Sequence, residues 1–406
     1  MTAAQRLLLL LTGINLVNYL DRYVVAAVIE PLGRDLGLSD LQRGWVNGVF
    51  LLAYMLAAPL FGVLADRLHR PRLVAGGVAL WCLATAGASL VHGYPTLLLT
   101  RSLVGVGEAA YASLGPALLA DLFPEEERAA KFTWFYLAIP VGSALGYALG
   151  GTVAQHWGWR QSFLVAGLPG LLLAARMATL EDPPRGGHDR AADTAAGLPF
   201  GARLRAIFTN RIWLACTSSY VAYTFAMGGL SFWCSPFLQR RHGVGVGPAG
   251  EVLGIFLVVT GILGTFTGGL LTRKLQDRWP DIGVDLSGAT LLAAAPVVFL
   301  ALSTGSLPAT YAAFFLGLFL LFVNTSPVNA LAVSCLPASL RATGTGINVL
   351  LIHLLGDALS PALVGRASEA AGAGGVALGR AMMLVIPAIL LSSLLLLWAR
   401  RRPGTA

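Results

Sequence analysis

The strongest constraint on this chain is a series of apolar runs, each long enough to cross a bilayer, that recurs along nearly its whole length. A hydrocarbon core of ~30 Å needs about 20 residues of helix at ~1.5 Å per residue. Runs of that order occupy 7–29, 45–63, 73–91, 97–119, 132–153 and 163–180, then 212–238, 253–271, 286–303, 311–331, 347–364 and 376–398. In lipid each segment must satisfy its own backbone hydrogen bonds, so these runs predict twelve transmembrane helices and an all-α integral membrane protein.

Charge supports that reading and excludes others. Charged residues make up 12% of the chain, about half the ~25% usual in soluble domains. The net charge of +8 does not indicate a nucleic-acid partner, because the basic residues sit in short loops between apolar runs. Nineteen of the 28 fall on the side of the N-terminus, among them Arg6, Arg67, Arg70, Arg72, Arg128, Lys131, Arg273, Lys274, Arg278 and Arg341. Seven fall on the other side, including Arg34, Arg43, Arg160 and Arg240. Positive-inside bias then predicts a multi-pass cell (inner) membrane protein with both termini cytoplasmic. Cys82, Cys216, Cys234 and Cys335 are scattered through apolar runs without a CxxC pair, which argues against a disulfide framework or a metal site. Arg6 followed by the five leucines Leu7–Leu11 resembles a signal-peptide start, but the charges at Asp21 and Arg22 interrupt it.

One polar stretch separates the runs into two sets of six. It predicts an N-terminal half at 1–180, a cytoplasmic linker at 181–207 containing Pro183, Pro184, Gly186 and Gly187, and a C-terminal half at 208–406. The halves resemble copies: GSALGYALGG starting at Gly142 aligns with GDALSPALVG starting at Gly356, with six of ten positions identical. Pseudo-symmetric halves suggest a transporter with its site near the midplane.

Within the first run, Asp21 and Arg22 are the anomaly. A charge buried in hydrocarbon costs about 2.5 kcal/mol or more, so both should face protein or a polar cavity. The fourth run supplies partners. Arg101, Gly105 and Glu108 share one helical face, with Arg101 ~6 Å and Glu108 ~16 Å below the outer boundary. Asp21 and Arg22 lie ~8–9 Å below it, which levels Arg101 with Asp21 and puts Glu108 within reach of Asn15, Asn18 or Arg22. Two acids and two bases sum to zero, and protonating either acid leaves the site positive. That suits proton coupling, with Asp21, Glu108, Arg101 and Arg22 as the switch; a purely structural ion cluster is the alternative. Arg22 and Arg101 are expected to attract an anionic head group. In the second half, His353 and Asp357 share a face, as proton relay or as a gating lock, and Asn324 and Asn329 flank Pro327 in a polar, kinked stretch.

Three motifs are similar to those of the major facilitator superfamily. The loop after the second run, Gly62-Val-Leu-Ala-Asp66-Arg67-Leu-His69-Arg70-Pro-Arg72, resembles that family's G-x-x-x-D-R-x-G-R-x-R signature, with His69 at a glycine position. Gly62, Asp66, Arg67 and Arg70 are expected to form a cytoplasmic latch, Asp66 pairing with basic residues or a helix N-terminus. Arg101-Ser-Leu-Val-Gly105-Val-Gly107 resembles its R-x-x-x-G-x-G helix. Gly142-x-x-x-Gly146-Tyr147-x-x-Gly150-Gly151 resembles its antiporter motif with Tyr147 at the proline position, although such glycines could equally serve packing. Gly105-Val-Gly107-Glu-Ala-Ala110 also fits a dinucleotide fingerprint, but lies inside an apolar helix with no preceding strand. No Walker sequence is present.

A narrower resemblance is to the Spinster family of lipid transporters, carried by Asn18-Tyr-Leu-Asp-Arg-Tyr23, Gly105-Val-Gly-Glu-Ala-Ala-Tyr111, Ala120-Asp-Leu-Phe123, Phe232-Trp233 and His353-Leu-Leu-Gly-Asp-Ala-Leu-Ser-Pro361. It implies the twelve-helix major facilitator fold, no enzymatic activity, and proton-coupled transport of sphingosine-1-phosphate or lysophospholipids by alternating access. The expected substrate cavity comprises Asn15, Asn18, Tyr19, Arg22, Tyr111, Tyr147, Asn324, Asn329, His353 and Asp357. No metal or cofactor is expected beyond the proton. The expected partners are a lipid or amphipathic small molecule and the bilayer, with the chain acting as a monomer. A multidrug or organic-anion carrier on the same fold is the alternative; a non-transporting membrane receptor is the reading from a different class.

Overall fold

The computed structural model describes residues 3–184 and 199–399, and among these every regular element is helical. The helices are α1 (Ala3–Asp35), α2 (Asp40–Arg67), α3 (Arg70–Gly87), α4 (Tyr94–Leu122), α5 (Glu125–Trp157) and α6 (Trp159–Ala178). After the linker come α7 (Phe200–Thr209), α8 (Arg211–His242), α9 (Val246–Leu275), α10 (Ile282–Ser303), α11 (Leu307–Val323) and α12 (Thr325–Ser334). The chain closes with α13 (Ala338–Leu351), a π-helical segment (Ile352–Asp357), α14 (Ser360–Ala370), α15 (Gly375–Met382) and α16 (Val385–Ala399).

Ten stretches are long and apolar enough to cross a membrane. The other two crossings of the twelve are α1 and α8, 33 and 32 residues long, whose apolarity is diluted by Asp21, Arg22 and Glu30 in one and a run of hydroxyls in the other. Several helices outrun their apolar runs because the hydrogen-bond ladder continues until a local stop signal. Gly37, at φ +62°, ends α1. Ser39 and Gln42 then form a reciprocal capping box, at 3.3 and 3.0 Å, that starts α2 several residues before its apolar run.

Three expected helices are interrupted. The tenth run breaks at Asn324, because Pro327 has no N–H to give to the Val323 carbonyl four residues back; the Asn324 side chain donates to the Leu321 carbonyl. The eleventh run contains the π segment. There the Thr224 hydroxyl of α8 donates to the Ile352 carbonyl at 3.0 Å, and a Cβ on Gly228 would meet Asp357. The twelfth divides into α15 and α16. Within the linker, α7 is an additional amphipathic helix; the linker's residues 185–198 lie outside the described residues.

The chain forms two compact units. One comprises Met1–Ala192 with Cys234–Val258, the other Asp193–Trp233 with Val259–Ala406. In the first, α1 lies along α5, α2 along α4, and α3 against α4 and α6; in the second, α10 packs on α11 and α16. Residues 234–258, the end of α8 and the start of α9, thus belong by contact to the unit built mainly from the first six crossings.

Small residues set the spacing of the first unit. A Cβ at Gly107 of α4 would lie 2.6 Å from the Gly77 carbonyl oxygen of α3, and one at Gly105 would strike the Phe50 carbonyl of α2. The R-x-x-x-G-x-G motif is therefore a contact device that brings Arg101 and Glu108 close to α2 and α3. Gly142 and Gly146 of α5 do the same against the carbonyls of Leu16 and Leu20 of α1. Of the two readings of that motif, the geometry supplies the packing one, and with it the placement of Asp21 and Arg22.

Candidate functional site

The charged residues of α1 and α4 meet inside the first unit. Glu108 is fully buried, and its Oε2 accepts a hydrogen bond from Arg22 Nε at 2.7 Å. Arg22 keeps 16% of its side chain exposed. Its guanidinium is ringed by aromatics, with Cζ 5.2 Å from the centroids of Tyr19 and Phe50 and 5.1 Å from that of Tyr54. Arg101 lies on Phe50 too, at 4.9 Å, so this phenyl ring is shared by two cations.

Asp21 is fully buried, but its partner differs from the expected one. Its Oδ2 accepts from the Thr85 hydroxyl of α3 at 2.6 Å. Asp21 and Arg101 form no direct ion pair among the described residues: Asp21 Oδ1 and Arg101 Nε and Nη1 have no hydrogen-bond partner there, and neither does Glu108 Oε1. Depth along a helix carries no information about azimuth around it, so it does not decide which side chains pair. Arg101 is 1% exposed and thus enclosed, whereas Arg22 keeps exposed surface. Thr85, Phe50 and Tyr54 were missed because a hydroxyl or a ring in an apolar helix has no distinguishing sequence spacing.

The arrangement has one formed ion pair, one carboxylate bound only by a hydroxyl, and one guanidinium without hydrogen bonds. Buried charges of this kind are costly when a partner is removed, about 3–5 kcal/mol for a broken pair. Loading a proton onto either carboxylate would change the whole set's balance and release or recruit an arginine. That is chemistry a proton-driven switch can use.

The remaining cavity candidates separate by environment. Asn15 is buried and donates to the Phe135 carbonyl at 2.9 Å; Asn18 is buried with its Nδ2 unpartnered. Tyr19 is half-buried beside Arg22. Tyr111 does not line a cavity: it is 2% exposed, its hydroxyl donating to the Leu11 carbonyl at 2.8 Å. Tyr147, 1% exposed and 5.3 Å from the Tyr23 ring, is likewise packed into the α1–α5 contact. In the second unit Asn324 is buried at the α11–α12 break rather than lining a cavity. Asn329 is exposed and donates to the Tyr220 hydroxyl at 3.0 Å. His353 and Asp357 lie 3.0 Å apart, half-buried, in the π segment. Such segments often mark functional sites.

The loop between α2 and α3, where the latch was expected, is organised by Arg70. Its Nη1 reaches Asp121 at the end of α4, its Nε donates to Asp182 Oδ1 at 2.8 Å, and its Nη2 donates to the Pro183 carbonyl at 2.6 Å. The side chain of Asp66 lies outside the described residues. Arg67 is exposed, and Gly62 has open space where a Cβ would be. His69 takes φ −70°, which any residue adopts, so the usual glycine is not required there. Asp121 and Asp182 were missed; Asp121 was in view only as part of a family signature.

The end of α1, the start of α2 and the end of α8 carry a second buried ion cluster. Arg240 of α8 bonds Glu30 of α1 at 2.7–2.8 Å and Asp40 of α2 at 2.7 Å through both terminal nitrogens. Arg43 bonds Glu30 at 2.9 Å and Asp40 at 3.2 Å. A recess of about 650 Å³ lies alongside, lined by residues including Arg34, Asp35, Gln239 and Val246. Asp40 and Arg43 are an i,i+3 pair legible in sequence; Arg240, some 200 residues away, is not.

Comparison with known proteins agrees with this architecture. The sequence model of the Major Facilitator Superfamily matches residues 11–361. Protein spinster homolog 1 of Bos taurus is 37% identical over 377 residues, covering 88% of this chain and 71% of that protein. Protein spinster of Drosophila melanogaster is 31% identical over 369 residues, covering 88% and 60%. Among solved structures, a bacterial homologue of the human lysosomal transporter Spinster, in an inward-facing and unoccupied conformation, superposes with a TM-score of 0.88 at 24% identity, both chains fully covered. A D-xylose–proton symporter superposes at 0.73 and 16% identity, covering 96% of this chain and 97% of its own; these two likenesses concern the fold.

Proposed function

The chain belongs to the Spinster family of the major facilitator superfamily, and from that premise we propose that it moves an amphipathic, lipid-like anion by proton-coupled alternating access. Membership makes it a multi-pass membrane transporter of a small molecule and not an enzyme. The finer reading, a substrate of the sphingosine-1-phosphate or lysophospholipid class, rests on the family resemblance carried by the sequence motifs and on the chemistry of the site.

One observation carries the proposal: the Arg22–Glu108 ion pair, buried beneath a ring of aromatics, next to an Asp21 that is bonded only by Thr85. Arg22, the cation of this set with exposed surface, receives a phosphate or carboxylate head. Tyr19, Phe50 and Tyr54 offer apolar and cation–π surface to the same region. As the head binds Arg22, Glu108 loses its partner and takes a proton. Asp21 is the second acceptor, with Arg101, held on Phe50, as the neighbouring cation. His353 and Asp357 play the corresponding polar role in the second half. A membrane potential of 100 mV contributes ~2.3 kcal/mol per charge moved, enough to shift a poised equilibrium.

In this reading the protein works as a monomer in the cell (inner) membrane with both termini cytoplasmic, uses no cofactor other than the proton, and has Arg70 and its two aspartates as the cytoplasmic latch. The Arg240 cluster holds the outer end of α8 on α1 and α2. The test is uptake into proteoliposomes of a panel of lysophospholipids, sphingosine-1-phosphate and cationic and anionic drugs, with and without a pH gradient. Transport indifferent to the gradient would remove proton coupling. Full gradient-driven uptake by both Asp21→Asn and Glu108→Gln would remove the residue assignment, and uptake of drugs alone would replace the lipid substrate with the multidrug alternative.

A further inference from the structure

The cytoplasmic corner of the second unit concentrates positive charge without compensation. No acidic residue occurs in the stretches 199–250, 286–356 or 370–406. Into this acid-free region fall Arg205 on α7, Arg211 at the start of α8 and Arg341 on α13, all exposed. Among the described residues, none of the three is in salt-bridge range of a carboxylate.

Packing brings them to one corner and holds it rigid. Ile207 of α7, Trp213 of α8, Leu336 and Leu340 form a buried cluster. Asn210, at the elbow between α7 and α8, accepts from the Trp213 amide at 2.9 Å and donates to the Cys335 carbonyl at 2.9 Å. Arg341 folds back to donate to the Leu336 carbonyl at 3.2 Å. Arg211 stacks on Trp398 near the end of α16, Cζ 4.2 Å from the ring, and donates to the Trp398 carbonyl at 2.8 Å. Beside these cations two aromatic rings stay exposed, Trp398 at 51% and Phe208 at 44%.

Exposed aromatics next to unpaired arginines at the end of membrane-spanning helices are the side chains that partition into the headgroup layer. A soluble anion would use the arginines but gain nothing from the rings. We infer that α7, the start of α8, and the ends of α13 and α16 form a binding site for an anionic phospholipid of the cytoplasmic leaflet, its phosphate on Arg205, Arg211 and Arg341 and its glycerol and acyl region against Phe208 and Trp398. The leaflet follows from the orientation proposed above; the site is separate from the transport residues, and its occupant is a resident lipid rather than cargo.

The test is lipid binding to the purified full-length protein, by native mass spectrometry in detergent with phosphatidylglycerol or phosphatidylcholine added. A cation near an anionic lipid surface contributes ~1 kcal/mol, about fivefold in affinity. Phosphatidylglycerol is expected to be retained at least tenfold more strongly than phosphatidylcholine. Arg205→Gln, a change at an exposed side chain, reduces that retention about fivefold, and the triple change Arg205→Gln, Arg211→Gln, Arg341→Gln about a hundredfold. The corresponding triple lysine variant keeps most of it and shows that the corner still folds. Control changes Arg273→Gln and Lys274→Gln, near Asp277 and Asp281 in sequence, leave it unchanged. Equal retention of the two lipids, survival of the preference in the triple glutamine variant, or protection by millimolar inorganic phosphate as strong as by phosphatidylglycerol would each overturn the inference. Transport is not read out, so a failed substrate assignment leaves this result standing.

Discussion

The Arg240→Met substitution tests how the outer end is held. Arg240 places its fork between two carboxylates, with Nη1 2.7 Å from Asp40 Oδ2 and Nη2 2.7 Å from both Asp40 Oδ1 and Glu30 Oε2. All three side chains are nearly enclosed, 8% exposed for Arg240 and 3% for each acid. Methionine preserves much of the volume and removes the charge. Asp40 is then left with Arg43 alone, while Glu30 keeps Arg43 and the more exposed Arg34, 2.9 Å from its Oε1, so the buried acids lose their most enclosed counter-charge. Losing one partner of a buried pair costs about 3–5 kcal/mol. Release of this end of α8 from α1 and α2 would return both acids to solvent, so most of that cost falls on the docked arrangement alone. About 3 kcal/mol is two decades in an equilibrium constant. Cys234 of α8 reports the outcome, since it is buried, six residues before Arg240. Its labelling by a membrane-impermeant maleimide from outside, read by peptide mass spectrometry, should accelerate at least tenfold in Arg240→Met. It should rise less in Arg240→Lys, whose single ammonium cannot bridge both acids as a fork does, and not at all in Arg241→Met. Wild-type labelling and wild-type transport in Arg240→Met would refute the idea that this cluster holds α8 in place.

Further outcomes follow from the same geometry. Glu108→Gln should abolish accumulation against a gradient while sparing downhill exchange, measured in the same proteoliposomes. Thr85→Val leaves the Asp21 carboxylate without its 2.6 Å donor and should destabilise the protein by ~1–3 kcal/mol, seen as a lower Tm that Thr85→Ser restores. Gly146→Leu drives a side chain into the Leu20 carbonyl of α1 and should lower both stability and transport. Gly62→Ala meets open space within α2 and should be neutral or stabilising by up to ~1 kcal/mol; a large loss of activity there would restore a conformational role to that glycine.

Much of the architecture is legible in the chain because lipid imposes a simple rule. A helix must be apolar for about 20 residues, and departures from that rule stand out. Thus the twelve runs, the linker, and the oddity of Asp21, Arg22, Arg101 and Glu108 are all one-dimensional facts. Helix breaks were less legible: the break at Asn324 reflects Pro327, which supplies no N–H to the Val323 carbonyl, and at the π segment the Thr224 hydroxyl of another helix takes up the Ile352 carbonyl while Gly228 lets Asp357 approach closely.

By itself the sequence determined which residues carry charge into the membrane and at what depth, since rise per residue is fixed by the α-helix. Only the tertiary structure decided who meets whom. Which way a side chain points around its helix depends on how neighbouring helices are rotated, and here glycine contacts set that rotation: Gly142 and Gly146 turn α1 onto α5, and Gly105 and Gly107 draw α4 onto α2 and α3. That rotation gives Glu108 to Arg22, Asp21 to Thr85, and leaves Arg101 on Phe50. The same holds for Arg240, whose partners lie some 200 residues earlier in the chain: no periodicity links them, and only folding brings them within 3 Å.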